Sequence, residues 1–535
     1  AATGELVWSY DPKSYEAVAR PANLGWQHRG VAYWRDGTDA RILMATHDLK
    51  LIALNARTGE LYPDFGDDGI VDLSKGLGRR VQARSLTHSS PPTICRDTVV
   101  VGSIVRDGTT FQKGPPGHVR GYDVYSGKMK WIFHTIPQQG ELGVDTWEND
   151  SWQYTGACNV WSMMAADNEL GYVYLPTSTP TSDFYGGHRL GDNLFAESLV
   201  CLNGETGERI WHFQCVHHGL WDYDLPTAPN LMDITVDGKT IKAVAQVSKQ
   251  GFTYVFDRAT GAPVWPIEER EVPASEIPGE RASATQPFPT KPPPFERQGV
   301  SEDDLIDLTS ELKKEALEIV ANHYTLGPLF TPPRSKAQGK PVVFLPGDGG
   351  GVNWTGAAFD PQSAQLFVPS ATTPKLVELG KPDPARSDLN YAPQLWTAAV
   401  LGPQGLPLVK PPYARITAID MDAGQHSWMA PHGDGPRRHP AIQHLKLGPL
   451  GSPGFHAGGP LVTKTLLIVC HGGQDVDRDE GARCLTAYSK ISGEYLGSIP
   501  LPAVPYGNPI TYLHEGKQWI VVAVGGGRFL SGGGG

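Results

Sequence analysis

No run of about 18 apolar residues occurs in this 535-residue chain, so no segment reads as a membrane-spanning helix. The opening residues, Ala1-Ala2-Thr3-Gly4-Glu5, carry no charged-then-apolar leader, and the compartment is not written there. None of the six cysteines (Cys95, Cys158, Cys201, Cys215, Cys470 and Cys484) forms a C-x-x-C pair. That spacing argues against a zinc site and a covalent c-type haem, and it leaves disulfide pairing open. Charge is also scarce: 19% of residues are charged, with a formal net charge of −11. An acidic balance argues against nucleic acid or an anionic membrane as the main partner. It is compatible with small neutral substrates and a basic electron-transfer partner.

Glycine (62) and proline (46) are abundant, together about a fifth of the chain, which suits a turn-rich all-β protein better than a helical one. One phrase recurs: a small or apolar residue, an apolar or aromatic residue, usually Asp or Asn, two or three variable residues, Gly, and often Trp four positions later. It appears at Gly4 with Trp8, at Gly59, at Gly127 with Trp131, and at Gly207 with Trp211. Further copies stand at Gly261 with Trp265, Gly424 with Trp428, and Gly493, where Gly497 takes the Trp position. Each copy reads as a hairpin in which the Asp or Asn bonds to its own turn and Gly supplies φ > 0. A single copy is an ordinary hairpin with a surface tryptophan; seven make a repeat. One four-stranded unit cannot bury both faces, so the units pack radially into a ring. A Trp at a fixed offset then docks between neighbours.

The interval from Gly261 to Gly424 is much longer than the others. It accommodates an insertion at about 266–340, which opens Pro-rich (Gln286 to Phe295) and suits extended chain. Ser301-Glu302-Asp303-Asp304 reads as a helix start, and the apolar spacing of Leu312, Leu317, Ile319 and Val320 carries the helix to about His323. The insertion reads equally as an overhang at an active-site mouth or as a structural plug.

The chemically most informative segment is His217-His218-Gly219-Leu220-Trp221-Asp222-Tyr223-Asp224. In extended backbone, Asp222 and Asp224 point to one side. Two convergent carboxylates ask for a cation or a shared proton. From this motif alone a metal and a pair of turn-capping aspartates are about equally good accounts.

Around this segment the chain resembles the PQQ-dependent (quinoprotein) dehydrogenases, most closely their glucose-dehydrogenase-like branch. The resemblance runs through Asn193 to Val200, the W-D-Y-D segment, Lys291 to Gln298 and Gly350-Gly351-Val352-Asn353-Trp354. It implies an all-β, eight-bladed β-propeller of four-stranded antiparallel blades, a single domain over residues 1–535, with the Pro-rich and helical 266–340 segment inserted. The function it implies is oxidation of a sugar, polyol or bulky secondary alcohol by hydride transfer to PQQ.

The roles follow by position. Asp222 resembles the general base and metal neighbour, and Lys249 the basic residue at the quinone oxygens. Trp161 is similar to the tryptophan beneath the flat ring, Arg29 to the arginine on a PQQ carboxylate, and Ser89, Asn353 and Trp354 to further cofactor contacts. The metal set implied is Asp107, Thr179, Asp222 and Asp224. Thr179 stands where relatives generally place an Asn, and a hydroxyl is a poorer ligand for a hard cation. Ca²⁺ is the default, with a lanthanide or Mg²⁺ as alternatives.

Gln27-His28 stands near the place of the adjacent cysteines of the methanol and ethanol branch, which turns the expectation toward sugars, polyols and larger secondary alcohols. The resemblance further implies a periplasmic location and an external electron acceptor, cytochrome c or a quinone. Two other readings use the same features: a non-catalytic propeller scaffold, which needs no W-D-x-D segment, and a hydrolase or lyase using Asp222 with a metal. At the C-terminus, the strand-like Val521 to Val524 runs into Gly525 and a glycine-rich tail, where a short closing strand would be expected.

Overall fold

The computed structural model describes residues 3–23, 25–454, 458–472 and 483–525. The glycine-rich tail from 526 lies outside them, and with it the question of a closing strand. The fold is a β-propeller. Blade 1 pairs Ala32–Asp36, Asp39–Ala45, Lys50–Asn55 and Ile70–Asp72; blade 2 pairs Thr93–Cys95, Thr98–Val101, Val119–Asp123 and Met129–Phe133. Blade 3 follows with Ala165–Asp167, Tyr172–Pro176, Ser198–Asn203 and Arg209–Gln214. Blade 4 has Asn230–Val236, Lys239–Val247 and Thr253–Asp257, with Pro263 bridging back to Phe256. Blade 5 joins Ala358–Asp360, Gln365–Ala371, Ala414–Asp420 and Gln425–Pro431, and blade 6 joins Pro460–Val462, Leu466–His471, Cys484–Ser489 and Tyr495–Pro500. A hairpin of Ile510–His514 and Lys517–Val521 comes next. All pairing within blades 1 to 6 is antiparallel, and the first strands of successive blades touch around the ring.

The repeated tryptophans hold the blades together. Trp131 of blade 2 lies on Gly207 of blade 3 and donates its indole N–H to Gly204 O at 2.9 Å. Trp211 packs in the same way on Gly261 with a 3.2 Å bond to Arg258 O, and Trp428 on Gly493 with a 3.3 Å bond to Lys490 O. Trp8 does so on Gly59, bonding Ala56 O at 3.2 Å, so the segment at Gly4 serves blade 1 as an outer strand serves the next blade. A Cβ at Gly207 would fall 2.6 Å from the Trp131 ring. The glycine therefore answers two demands at once, a turn with φ +73° and room for an indole.

The segment after blade 4 forms a hairpin (Ile267–Glu271 with Thr285–Pro289), a short 3₁₀ turn at Glu302–Asp304 and an α-helix at Ser310–His323. The helix begins later than Ser301 suggests. Ser301 and Asp304 close a capping box over one turn only, and Leu305 then runs extended against Val409. The N-cap is Thr309, whose hydroxyl oxygen accepts the N–H of Leu312 at 3.1 Å. The helix buries Leu312 and Ala316 against Leu376, Leu406 and Leu408. The chain's return past Leu329 and Phe330 packs on Trp221 and Tyr223, so this excursion buttresses the W-D-Y-D segment from behind.

Candidate active site

In an antiparallel blade the start of the first strand, the end of the second and the end of the fourth share one edge. Arg29, Ser89, Trp161, Asn353 and Trp354 precede first strands, Thr179 and Lys249 follow second strands, and Asp222 and Asp224 follow a fourth. The topology alone gathers them at one end of the ring. Asp107 follows Ile104–Val105, a short strand paired with Leu86–Thr87.

Lys249 is the hub. Its ammonium, 3% exposed as a residue, bonds Asp222 O at 2.7 Å and lies 3.2 Å from Asp222 Oδ1 and 3.1 Å from Asp224 Oδ2. The two carboxylates, with Asp348, hold it well above the usual lysine range against the desolvation that would lower it. Gly350 lies on the lysine stem, where a Cβ would be 2.6 Å from its Cγ, and Gly351 N–H donates to Lys249 O at 2.9 Å.

Asp222 and Asp224 do converge, but not by strand alternation. Asp222 has φ +56°, so the backbone is in a left-handed turn rather than extended, and the lysine between the carboxylates draws them together. Asp224 uses both oxygens on donors. Oδ1 accepts Thr179 N–H at 2.7 Å, and Oδ2 accepts the Trp161 indole N–H at 3.0 Å as well as Lys249.

Burial and the neighbouring aspartates push Asp222 well above the usual carboxylate range, with Lys249 pulling the other way. Asp183, whose Oδ2 accepts Gly108 N–H at 3.1 Å, is pushed up to about 6 by burial and by Asp224. Asp107 is raised by desolvation and by Asp183 and Asp224; its side chain is the most open of the group, so water tempers that shift. Fully buried Glu197 is pushed up to about 8, chiefly by desolvation, although it accepts the Thr179 hydroxyl at 2.8 Å. Asp183, Glu197 and Asp348 were not singled out from sequence, where each is one acid in an irregular loop. The only hint was that Glu197 falls inside a segment of family resemblance.

On the other side of Trp161 stands Arg29. It donates to Ser89 Oγ at 2.7 Å, Ser90 Oγ at 3.2 Å and Trp161 O at 3.5 Å, and its guanidinium lies 5.1 Å from the Trp161 ring centre and 5.0 Å from that of Trp354. Burial lowers it to about 9, its Nε has no hydrogen-bond partner, and it pairs with no carboxylate among the described residues. Asn353 is bound locally, donating to Gly349 O at 2.9 Å and accepting Trp354 N–H at 2.8 Å. Trp161, Asp222, Asp224, Lys249 and Thr179 thus form one connected group. Arg29, Ser89 and Trp354 join it through Trp161, and Asp107 borders it through Asp183. Among the described residues Asn353 shares a hydrogen bond with none of the others except Trp354.

A half-buried guanidinium against two indoles thus stands beside a lysine clamped by aspartates at one end of the propeller. The family described as "PQQ: Glucose/ethanol/alcohol dehydrogenase, beta-propeller domain" matches residues 1–520, and the chain belongs to it. It is 32% identical over 513 residues to the quinate/shikimate dehydrogenase (quinone) of Acinetobacter baylyi, covering 91% of this chain and 61% of that protein. It is also 32% identical to the glycerol dehydrogenase large subunit of Gluconobacter oxydans, covering 99% and 73%, and 30% identical to the quinoprotein glucose dehydrogenase of the same organism, covering 98% and 68%. The chain therefore spans less than two thirds of the first of these relatives. Among solved structures, the quinohemoprotein alcohol dehydrogenase ADHIIG of Pseudomonas putida HK5 superposes with a TM-score of 0.67 at 23% identity, covering 98% of this chain and 66% of that one. That likeness is one of fold. Among the described residues no helix is long and apolar enough to cross a membrane.

Proposed function

We propose that the chain binds PQQ at the propeller axis and oxidises a sugar, polyol or bulky secondary alcohol to the carbonyl or lactone, passing the electrons to an external acceptor such as cytochrome c or a quinone. The observation that carries this reading is the Lys249 ammonium held between Asp222 and Asp224, with the indole of Trp161 fixed by that same Asp224 carboxylate. The residues fit the cofactor. Arg29 is a half-buried cation without a carboxylate among the described residues, its buried Nε unpartnered, and its planar fork suits a ligand carboxylate. Trp161 and Trp354 flank it and offer aromatic faces to a planar ring.

When bound, PQQ supplies an ortho-quinone that accepts the hydride. The chain's part is to hold and move charge. Asp222 takes the proton of the substrate hydroxyl; its burial makes it a stronger base than a solvated aspartate. Lys249 would hold the quinone end of PQQ and stabilise the negative charge that grows there. Ser89 and Asn353 complete the cofactor contacts.

A divalent cation, Ca²⁺ before Mg²⁺ or a lanthanide, belongs near Asp107, Thr179, Asp222 and Asp224. The donors there are all oxygens, as hard cations require, and the buried aspartates outnumber the single ammonium. Among the described residues no three His, Cys, Asp or Glu side chains form a ready cage; Asp107, Thr179, Asp222 and Asp224 would hold the cation, and the oxygens of PQQ could complete its shell.

For the substrate, the named relatives act on quinate or shikimate, glycerol and glucose, and Gln27-His28 in place of paired cysteines points the same way, toward polyhydroxylated compounds. A periplasmic location is part of this proposal. The experiment is reconstitution with PQQ and CaCl₂, followed by dye reduction with quinate, glycerol and glucose. PQQ binding with dye reduction supports the proposal. Failure to bind PQQ returns the chain to the scaffold reading, and turnover without dye reduction to the hydrolase or lyase reading.

A further inference from the structure

We infer that Glu197 is a positioning residue for the divalent cation: by accepting the Thr179 hydroxyl proton, it turns that oxygen into a lone-pair donor and so makes a threonine serve where an amide oxygen is expected. The inference rests on the reading of this pocket as a PQQ and cation site.

Thr179 is fixed at two points. Its N–H donates to Asp224 Oδ1 at 2.7 Å and its hydroxyl to Glu197 Oε1 at 2.8 Å. A hydroxyl whose one proton is committed to a carboxylate has only lone pairs left for any other neighbour. A carboxylate behind a ligand also raises the basicity of that ligand, as it does behind metal-bound histidines, and a cation at Thr179 would favour the ionised form of Glu197 that burial alone disfavours. Such an oxygen is a harder and better donor than a free hydroxyl.

Glu197 has no competing task visible among the described residues. Its side chain is completely buried, and Oε2 has no hydrogen-bond partner. The nearby Arg189 does not pair with it. Arg189 spends its donors on Thr181 O, Asn193 Oδ1, Ser182 O and Gly219 O.

The surroundings are shaped to keep the carboxylate where it is. Glu197 sits at φ +46°, a left-handed conformation unusual outside glycine. Gly219 lies so close that a Cβ there would be 1.8 Å from Oε2, and any larger residue would displace the carboxylate. A strained backbone and a forced glycine, both spent on holding one acid behind Thr179, fit a ligand support better than they fit packing.

The test is terbium luminescence on the PQQ-loaded full chain, with Ca²⁺ competition to give cation affinity independently of turnover. Glu197→Gln should weaken binding by about 10- to 100-fold, because a glutamine can present its amide N–H to Thr179 and turn the hydroxyl proton toward the cation. The double variant T179N/E197Q should recover affinity to within a few-fold of wild type, since the amide oxygen needs no carboxylate behind it. Unchanged affinity in E197Q overturns the inference, and so does a loss that T179N fails to rescue, which would mark Glu197 as structural. If E197Q does not fold by circular dichroism, Thr179→Val removes the hydroxyl at constant shape and should show the same loss; unaltered binding there overturns the inference too. Absence of cation binding in the wild type sinks the underlying site reading, which none of the variant results does.

Discussion

Lys249 Nζ and the Trp161 indole N–H meet on one oxygen, Asp224 Oδ2, at 3.1 and 3.0 Å. The aromatic face and the cation are therefore not independent fixtures; a single carboxylate sets both. Removing the lysine leaves Asp222 and Asp224 buried with their mutual repulsion unopposed. Lys249→Met should cost about 3–5 kcal/mol of stability, the usual penalty for breaking a buried pair from one side. It should also slow reduction of bound PQQ. Urea denaturation reads the first effect and stopped-flow bleaching of the bound quinone the second. A variant as stable as wild type would mean that the pair is solvated.

Asp222 is the other partner of the lysine, and its proposed task differs. Asp222→Asn preserves shape and the backbone carbonyl that Lys249 binds at 2.7 Å, but it removes the proton acceptor. Turnover should fall by about 10²- to 10⁴-fold while PQQ affinity changes little. Dye-coupled kinetics and a PQQ titration followed by tryptophan quenching separate the two. Retained turnover, or lost PQQ affinity, would contradict the role.

The ring was legible in the sequence because its signal is periodic. Gly127, Gly207, Gly261, Gly424 and Gly493 each mark a hairpin, and the spaced tryptophans proved to be the wedges between blades. The site was legible only where a motif carried it. Asp222 and Asp224 announce themselves as a pair, yet extended backbone is not what brings them together, because a left-handed Asp222 is a tertiary outcome that no local pattern encodes. Asp183, Glu197 and Asp348 were missed for the same reason. Each is an isolated acid whose raised proton affinity comes from burial by distant blades. The helix start was misplaced because Ser301 and Thr309 are both sound caps, and only the pairing of Leu305 with Val409 decides between them.

The wedge tryptophans give a stability test away from the chemistry. Trp131 is 7% exposed and contacts Gly121 of its own blade as well as Gly207 of the next. Trp131→Ala should destabilise the fold by about 3–5 kcal/mol, measured as a lower midpoint in guanidinium. Gly207→Ala should be harmful as well, because both the ring and the φ +73° turn oppose a methyl group there. If Gly207→Ala is neutral, the indole is not seated as described.

Two desolvated histidines, His88 buried and His188 half-buried, predict how stability depends on pH. His88 and His188 are each pushed down to about 3, chiefly by desolvation. Each has one ring nitrogen on a carbonyl, His88 Nδ1 on Gly102 O at 2.7 Å and His188 Nε2 on Thr181 O at 2.9 Å, and one with no partner. Protonation would add a donor and a charge with nowhere to go. Below the ordinary histidine range near 6.5 the unfolded chain binds these protons and the native one does not, so stability falls as pH drops from about 6.5 toward 3. The slope is up to about 1.4 kcal/mol per pH unit for each residue. In the chain without a cation Glu197 acts in the opposite sense: burial raises its pKa to about 8, so the stability linked to its neutral form is lost as pH rises from about 4.5 toward 8. The raised acids Asp183 and Asp222 act with Glu197, so the test is a difference: between pH 7 and 4.5 the urea midpoints of His88→Gln, which keeps a polar side chain without the titration, should fall less steeply on the acid side than those of wild type, by one proton's worth. An unchanged slope in His88→Gln would show that the imidazole is already charged in the native protein.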